Sequence, residues 1–132
     1  MAVRGPEIVG SRFSSRNNQS VTTDALAAFA KSINSDAGKI PPTFLISFSI
    51  SAAEEFLPTI GFDWTRVVHG EQRFLHHQKL YPGIELQSTS EIESYKNLAG
   101  NEFVTVRTDF FEVHTGEKVT STWSTLVFRG EV

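Results

Sequence analysis

Hydrophobic positions along the chain recur first at helical spacing and later in the pattern of strands. An apolar stripe follows Thr22 and Thr23, either of which can cap a helix, while Asp24 in the first turn suits the helix dipole. The stripe consists of Leu26, Phe29, Ala30 and Ile33. This spacing predicts a first helix that ends in the polar residues 34–38.

A second apolar segment opens at Pro41, Pro42 and Thr43 and continues to Leu57. Proline is tolerated in a first helical turn because its missing N–H has no partner there. The apolar residues cover more than one face, which is typical of a helix enclosed by the rest of a fold. Its β-branched and Phe residues weaken helical propensity, so a buried strand over residues 44–50 is the competing interpretation.

From Arg66 onward the pattern indicates consecutive antiparallel strands. A short edge strand is also predicted near the start of the chain, at residues 7–13. Pro82-Gly83 and Thr115-Gly116 supply turns. A polar loop is predicted at residues 96–101. The four main strands are predicted at residues 67–79, 85–94, 102–114 and 118–129. One apolar helix and such a sheet should pack as two layers, which predicts an α+β fold.

Composition narrows the classes of protein that remain. The chain has 132 residues, 11 Phe, no Cys and a net charge of −3, which suits a single domain over residues 1–132. The slightly acidic balance argues against nucleic-acid binding, and no apolar run reaches the roughly 20 residues that span a membrane. Without Cys or an apolar leader, we expect a cytoplasmic protein. No ligand spacing predicts a metal site.

The order of these elements resembles the hot-dog fold, and in particular the N-terminal-domain branch of the MaoC-like dehydratase family. The most distinctive stretch is His69, Gly70, Glu71, Gln72, Arg73 and Phe74. The other matching stretches are residues 8–13 for the opening strand, 21–33 for the first helix, 41–44 for the start of the central helix, and 124–129 for the final strand. The similarity runs in consistent order along nearly the whole chain.

The resemblance implies a curved antiparallel sheet of about five strands wrapped around a central helix. It also implies an acyl-thioester system that adds water to a trans-2-enoyl-CoA or removes it from a (3R)-3-hydroxyacyl thioester, with no cofactor. Family members use an Asp and a His, set as Asp-x-Asn-Pro-x-His after the first helix, to move the protons. Hot-dog subunits pair edge to edge, so a second hot-dog subunit, identical or different, is the expected partner.

This chain departs from the family at that catalytic pair. The alignment places Ser35 where the Asp is expected, and Asp36 lies one residue later. No His follows before Pro41. Asp36 is therefore a weak catalytic candidate. His76 and His77 are adjacent on a predicted strand and should point to opposite faces, so at most one of them faces any given site.

We therefore predict a noncatalytic or degenerate hot-dog partner that helps to bind an acyl-CoA or acyl-carrier-protein thioester. The predicted substrate-binding residues are Pro42, Thr43, Phe44, His69, Gly70, Glu71 and Gln72. Three alternatives stay open: an active homodimeric hydratase that uses Asp36, a hot-dog thioesterase that uses Glu54 or Glu55, and a non-enzymatic acyl-thioester binding protein. The acyl chain, the carrier and the pathway are left open by the sequence.

Overall fold

The computed structural model describes residues 5–15, 18–33 and 40–130. These residues form two α-helices, α1 over Thr23–Ser32 and α2 over Ile46–Phe56. Short 3-10 helices lie at Pro6–Ile8, Leu57–Ile60 and Trp64–Arg66. The strands are β1 (Arg12–Ser14), β2 (Gln19–Ser20), β3 (Val67–His76), β4 (Glu85–Leu98), β5 (Asn101–Glu112) and β6 (Lys118–Phe128). In these ranges, no helix is long and apolar enough to cross a membrane.

All six strands belong to one antiparallel sheet in the order β1-β4-β5-β6-β3, with β2 also pairing with β4. The sheet is open, because β1 and β3 end this path of strands. Helix α2 packs on one face of the sheet against β4, β5 and β6. We call this face the helix side and the opposite face the outer side. The expected α+β hot-dog arrangement is thus confirmed, with six strands in the described part of the chain rather than about five.

Small residues on α2 allow the helix to lie close to the sheet. Ser49, Ala52 and Ala53 are all at most 2% exposed. The flanking aromatic residues Phe44 and Phe56 enter two separate apolar clusters, one toward each end of the helix. Burial of this apolar surface is the main favourable term that holds the two layers together.

The first helix agrees with its prediction in its cap and in part of its apolar stripe. The Thr22 side-chain oxygen accepts a hydrogen bond from the Ala25 backbone N–H at 3.0 Å, which satisfies one of the free donors of the first turn. Leu26 and Ala30 from the predicted stripe are buried, whereas Ile33 follows the last residue of the helix and is 49% exposed.

Several predicted boundaries were wrong. The competing strand over residues 44–50 is absent, and α2 begins only at Ile46, after a turn over residues 42–45. The predicted opening strand over residues 7–13 is a 3-10 turn followed by β1. The predicted loop at residues 96–101 instead continues the β4–β5 hairpin, because Lys96, Asn97 and Leu98 pair with β5. Ala99 and Gly100 make that tight turn, both with positive φ.

Substitution of Ala53 by Leu tests the close approach of α2 to the sheet. Ala53 is fully buried in the cluster beside Val104 and Leu126, so the larger side chain should overpack the layer. We expect A53L to lower the free energy of unfolding by about 1–3 kcal/mol in urea titrations. The matched control is Glu54→Leu at the next, exposed position, which should change it by less than about 0.5 kcal/mol. Equal effects of the two substitutions would contradict this packing.

Candidate functional site

A cleft of about 570 Å³ lies between the approach to α2 and the segment that follows β3. One wall is mainly apolar and the other is mainly polar. The apolar residues are Ile40, Pro41, Pro42 and Leu80, and the polar residues are His76, His77, Gln78 and Lys79. A cleft with an apolar wall and a few hydrogen-bonding groups is suited to a small organic ligand.

The apolar wall is shaped by the turn that precedes α2. The Phe44 backbone N–H donates to the Pro41 carbonyl at 3.0 Å, and the Ile46 N–H donates to the Thr43 carbonyl at 3.0 Å. Phe44 is 2% exposed and belongs to a core cluster, whereas Pro42 and Thr43 are exposed. Of the three residues predicted to bind substrate here, the structure places Pro42 in the cleft wall and Phe44 in the core.

His76 connects this turn to the sheet. Its Nε2 lies 2.8 Å from the Pro42 carbonyl oxygen, and its Nδ1 lies 3.1 Å from the Thr120 hydroxyl. Because a carbonyl oxygen can only accept, Nε2 carries the proton and donates to Pro42. Both ring nitrogens are therefore engaged, and His76 holds the cleft wall in place.

His77 points to the other side of the sheet, as its position next to His76 predicted. Its Nε2 lies 3.4 Å from the Ser121 hydroxyl, whose own proton is donated to Asp109 Oδ1 at 2.7 Å. Asp109 is 8% exposed and is also contacted by Arg107 at 3.3 Å and by Lys118 at 3.8 Å. On the outer side of the sheet, His77 is thus connected through Ser121 to a largely buried carboxylate.

The side chains of the predicted motif over residues 69–74 lie on both sides of β3. His69 and Gln72 pair with Leu126 and Ser124, so they lie on the helix side. The Gln72 Oε1 accepts from Ser124 Oγ at 2.6 Å and lies 3.1 Å from His69 Nε2. Within the described residues, the buried Gln72 Nε2 has no hydrogen-bond partner. None of these motif residues lines the cleft, and they form a separate polar group on the edge strand.

Gly70 accounts for the change of side within the motif. The pairing of β3 with β6 shifts between His69 and Glu71, which marks a bulge at Gly70. A Cβ at this position would lie 3.3 Å from the Thr125 carbonyl oxygen, so a larger residue would crowd β6. The shift moves Glu71 to the outer side and returns Gln72 to the helix side.

The structure brings no acid–base pair together in the described part of the cleft. Asp36, the weak catalytic candidate, lies outside the described residues. The other His, His114, is exposed near the β5–β6 hairpin, and Glu54 and Glu55 are exposed on α2. Among residues 5–15, 18–33 and 40–130, no group of three His, Asp or Glu side chains could hold a metal ion.

Sequence reasoning missed the cleft and the fixed role of His76. The opposite directions of His76 and His77 followed from the alternation of side chains along a strand. The contact of His76 with Pro42 could not be predicted in the same way, because it joins residues 34 positions apart in the sequence. The pair of adjacent His residues at the end of a predicted strand was the available signal.

Comparison with known proteins identifies the family. The family model described as FAS1-like, dehydratase domain region, matches residues 7–122. A UPF0336 protein of Saccharopolyspora erythraea is 41% identical over 92 residues, which is 68% of this chain and 58% of that protein. The match therefore spans just over half the length of that relative.

Solved structures share the fold. The C-terminally truncated HadBC (3R-hydroxyacyl-ACP dehydratase) complex of Mycobacterium tuberculosis contains a chain with a TM-score of 0.81 and 20% identity, covering 91% of this chain and 96% of that one. A MaoC-like dehydratase also has a TM-score of 0.81 and 20% identity, covering 93% of this chain and 42% of that one. The predicted resemblance to hot-dog dehydratases is confirmed.

Paired substitutions of His76 can separate its two hydrogen bonds. A Gln amide reaches the position of Nε2 and keeps the contact with Pro42, whereas an Asn amide keeps only the contact with Thr120. We expect H76N to speed hydrogen exchange of the Phe44 amide, because the turn over residues 42–45 loses its tie to β3. H76Q should leave that exchange close to the wild-type rate.

A third variant, H76F, measures the cost of losing both bonds. It leaves the fully buried Thr120 hydroxyl without its His76 partner and should lower the free energy of unfolding by about 1–3 kcal/mol. Equal Phe44 exchange in H76N and H76Q would show that the Pro42 contact does not hold the turn.

Proposed function

Because the chain belongs to the FAS1-like, dehydratase domain region family, we propose that it is the noncatalytic hot-dog subunit of an acyl-thioester hydratase or dehydratase. In this role it binds part of the thioester, while a second hot-dog subunit supplies the Asp and His that move protons. Hydration adds water across a carbon–carbon double bond, so the chemistry needs a base and an acid and no redox cofactor.

The observation that carries this proposal is the composition of the segment leading into the cleft. Residues 35–40 read Ser-Asp-Ala-Gly-Lys-Ile and contain no His, although the family sets its catalytic pair after the first helix. His76 lines the cleft together with Pro41 and Pro42, which follow this segment. Both ring nitrogens of His76 already form hydrogen bonds within the chain. A ligand cleft without its own acid–base pair is what a supporting subunit requires.

The edge of the sheet supports association with a second subunit. In the described part of the chain, β3 pairs with β6 alone, so its other edge offers free backbone groups. Leu75 is 51% exposed and Val68 is 42% exposed on this strand, which suits an edge that another protein covers. The similarity to a chain of the HadBC complex supports the same assembly.

The character of the cleft supports a thioester ligand. Its apolar wall suits an acyl chain or the methyl groups of a pantetheine arm, and Lys79 provides a positive charge for a phosphate group. Coenzyme A and the prosthetic group of an acyl carrier protein share these features. We propose an enoyl or 3-hydroxyacyl thioester on either carrier as the substrate.

Reconstitution tests the division of labour. The purified chain should hydrate a trans-2-enoyl-CoA at least roughly 100-fold more slowly than its complex with a hot-dog subunit that carries an intact Asp-x-Asn-Pro-x-His motif, because acid–base catalysis contributes about that much. Loss of absorbance of the enoyl thioester reports the rate. Changing the motif Asp of the second subunit to Asn should abolish the activity of the complex.

Rapid turnover by the isolated chain would overturn the noncatalytic assignment. If Asp36→Asn then abolished that turnover, the homodimeric hydratase would be the correct alternative. Release of free CoA by the isolated chain would instead indicate a thioesterase.

Substitution of Leu75 by Lys tests whether the β3 edge is the subunit contact. An ammonium group buried without a partner is costly, so L75K should weaken assembly by roughly tenfold or more. Leu98, 58% exposed on the β4–β5 hairpin, provides the matched control. L98K should leave assembly unchanged in sedimentation experiments. Equal behaviour of L75K and L98K would place the contact elsewhere.

A further inference from the structure

The outer side of the edge strand β3 carries four exposed residues at even spacing. In chain order they are Val68, Glu71, Arg73 and Leu75. Their partners in β6 are, in the same order, Val127, Thr125, Trp123 and Ser121. These partners are two positions apart at every step, although the first two β3 residues are three positions apart. The bulge at Gly70 accommodates the extra residue and keeps the spacing even.

The chemical character of these four residues is self-complementary. From the first to the last they are apolar, acidic, basic and apolar. A second copy of the strand in antiparallel orientation would therefore meet each charge with an opposite charge and each apolar residue with an apolar one. The two apolar residues, Val68 and Leu75, are 42% and 51% exposed. The centre of this symmetry lies at Gln72.

The hydrogen bonds to β6 determine which backbone groups of β3 face the free edge. The His77 N–H donates to the Val119 carbonyl at 2.8 Å, and the pairing of β3 with β6 is regular over residues 71–76. Alternate residues of an antiparallel strand direct both of their backbone groups to the same neighbour. Residues 71, 73 and 75 therefore bond to β6, whereas residues 72, 74 and 76 direct their N–H and C=O groups to the free edge.

This alternation limits the registers in which two copies of β3 can pair. A register centred on Gln72 exchanges hydrogen bonds between free groups and places Glu71 opposite Arg73 of the second copy. Such a pair is of the closely spaced, non-hydrogen-bonded kind, in which side chains interact most strongly. A register centred on Arg73 would place two Arg side chains opposite each other, and one centred on Phe74 would place Arg73 opposite Leu75. Charge complementarity therefore selects the register centred on Gln72.

Arg73 is positioned for this contact by its own sheet. Its guanidinium carbon lies 4.8 Å from the centre of the Trp123 ring, and the Trp123 Nε1 donates to Glu93 Oε2 at 2.7 Å. Stacking on an aromatic ring uses the flat face of a guanidinium group and leaves the N–H groups at its rim available for a carboxylate. Glu71 of a second copy can supply that carboxylate.

We propose that the β3 edge pairs with the β3 edge of a second copy of this chain, in the antiparallel register centred on Gln72. Two Glu71–Arg73 pairs and two Val68–Leu75 contacts then form on the outer side, and the two sheets become continuous. An edge strand has one free side, so the second copy and the dyad-bearing subunit exclude each other there. This exclusion rests on the proposed function, whereas the self-pairing does not.

Charge reversal tests the register in the purified full chain. E71R places basic side chains opposite each other in both symmetry-related pairs, and R73E does the same with acidic side chains. We expect each change to raise the dimer dissociation constant by roughly tenfold in sedimentation experiments at low salt, because like charges directly opposite destabilise strand pairing. The matched control K96E reverses an exposed charge on β4 and should leave the dissociation constant unchanged.

Mixing the two variants provides a stricter test, because only the mixed dimer brings opposite charges together. An equimolar mixture of E71R and R73E should dimerise with close to wild-type affinity, although each variant alone dimerises weakly. Recovery on mixing also shows that both variants are folded. No other register centred on β3 gives this result.

The outcomes separate this inference from the proposed function. A wild-type chain that stays monomeric overturns the inference, as does a dimer that responds equally to E71R and K96E or does not recover on mixing. If such a chain still forms an active hydratase with the dyad-bearing subunit, the proposed function stands. If the charge-dependent dimer forms but the dyad-bearing subunit gives no hydration with this chain, the proposed function fails and the self-pairing stands.

Discussion

In the described part of the chain, strand β3 has a hydrogen-bonded neighbour on one side only, and the cleft and the proposed assembly both depend on it. Toward the sheet, β3 is fixed by its long pairing with β6. At its last residue, His76 holds the turn that leads into α2. A protein that added a strand to the free edge would bring its own groups close to the cleft. The free sheet edge and the cleft therefore occur in the same part of the molecule.

Much of the architecture could be predicted because it depends on local signals. The Thr22 cap, the apolar stripe of α1 and the turn signals near Gly83 and Gly116 are all short-range features. The wrong boundaries reflect tertiary contacts. Lys96 and Asn97 are polar, yet they pair with β5 and extend the hairpin. The start of α2 is delayed because a turn over residues 42–45 precedes the regular helix.

The candidate site was harder to predict, for a physical reason. The resemblance directed attention to His69, Gly70, Glu71 and Gln72 as one unit. A bulge at Gly70 instead places the flanking residues on different sides of β3. The cleft is formed by segments near residues 40 and 78, and only the folded chain brings these segments together. The directions of His76 and His77 could be foreseen from strand alternation, but the contacts with Pro42 and Ser121 could not.

The most direct test of this account is hydrogen exchange along β3 in the assembly that hydrates an enoyl thioester. Every second amide of an antiparallel edge strand points away from its neighbour and exchanges readily while the edge is free. We predict that these β3 amides become as strongly protected in the assembly as those of the central strand β5. Fast exchange at alternate β3 amides in a fully active assembly would contradict the account, because the subunits would then meet through another surface.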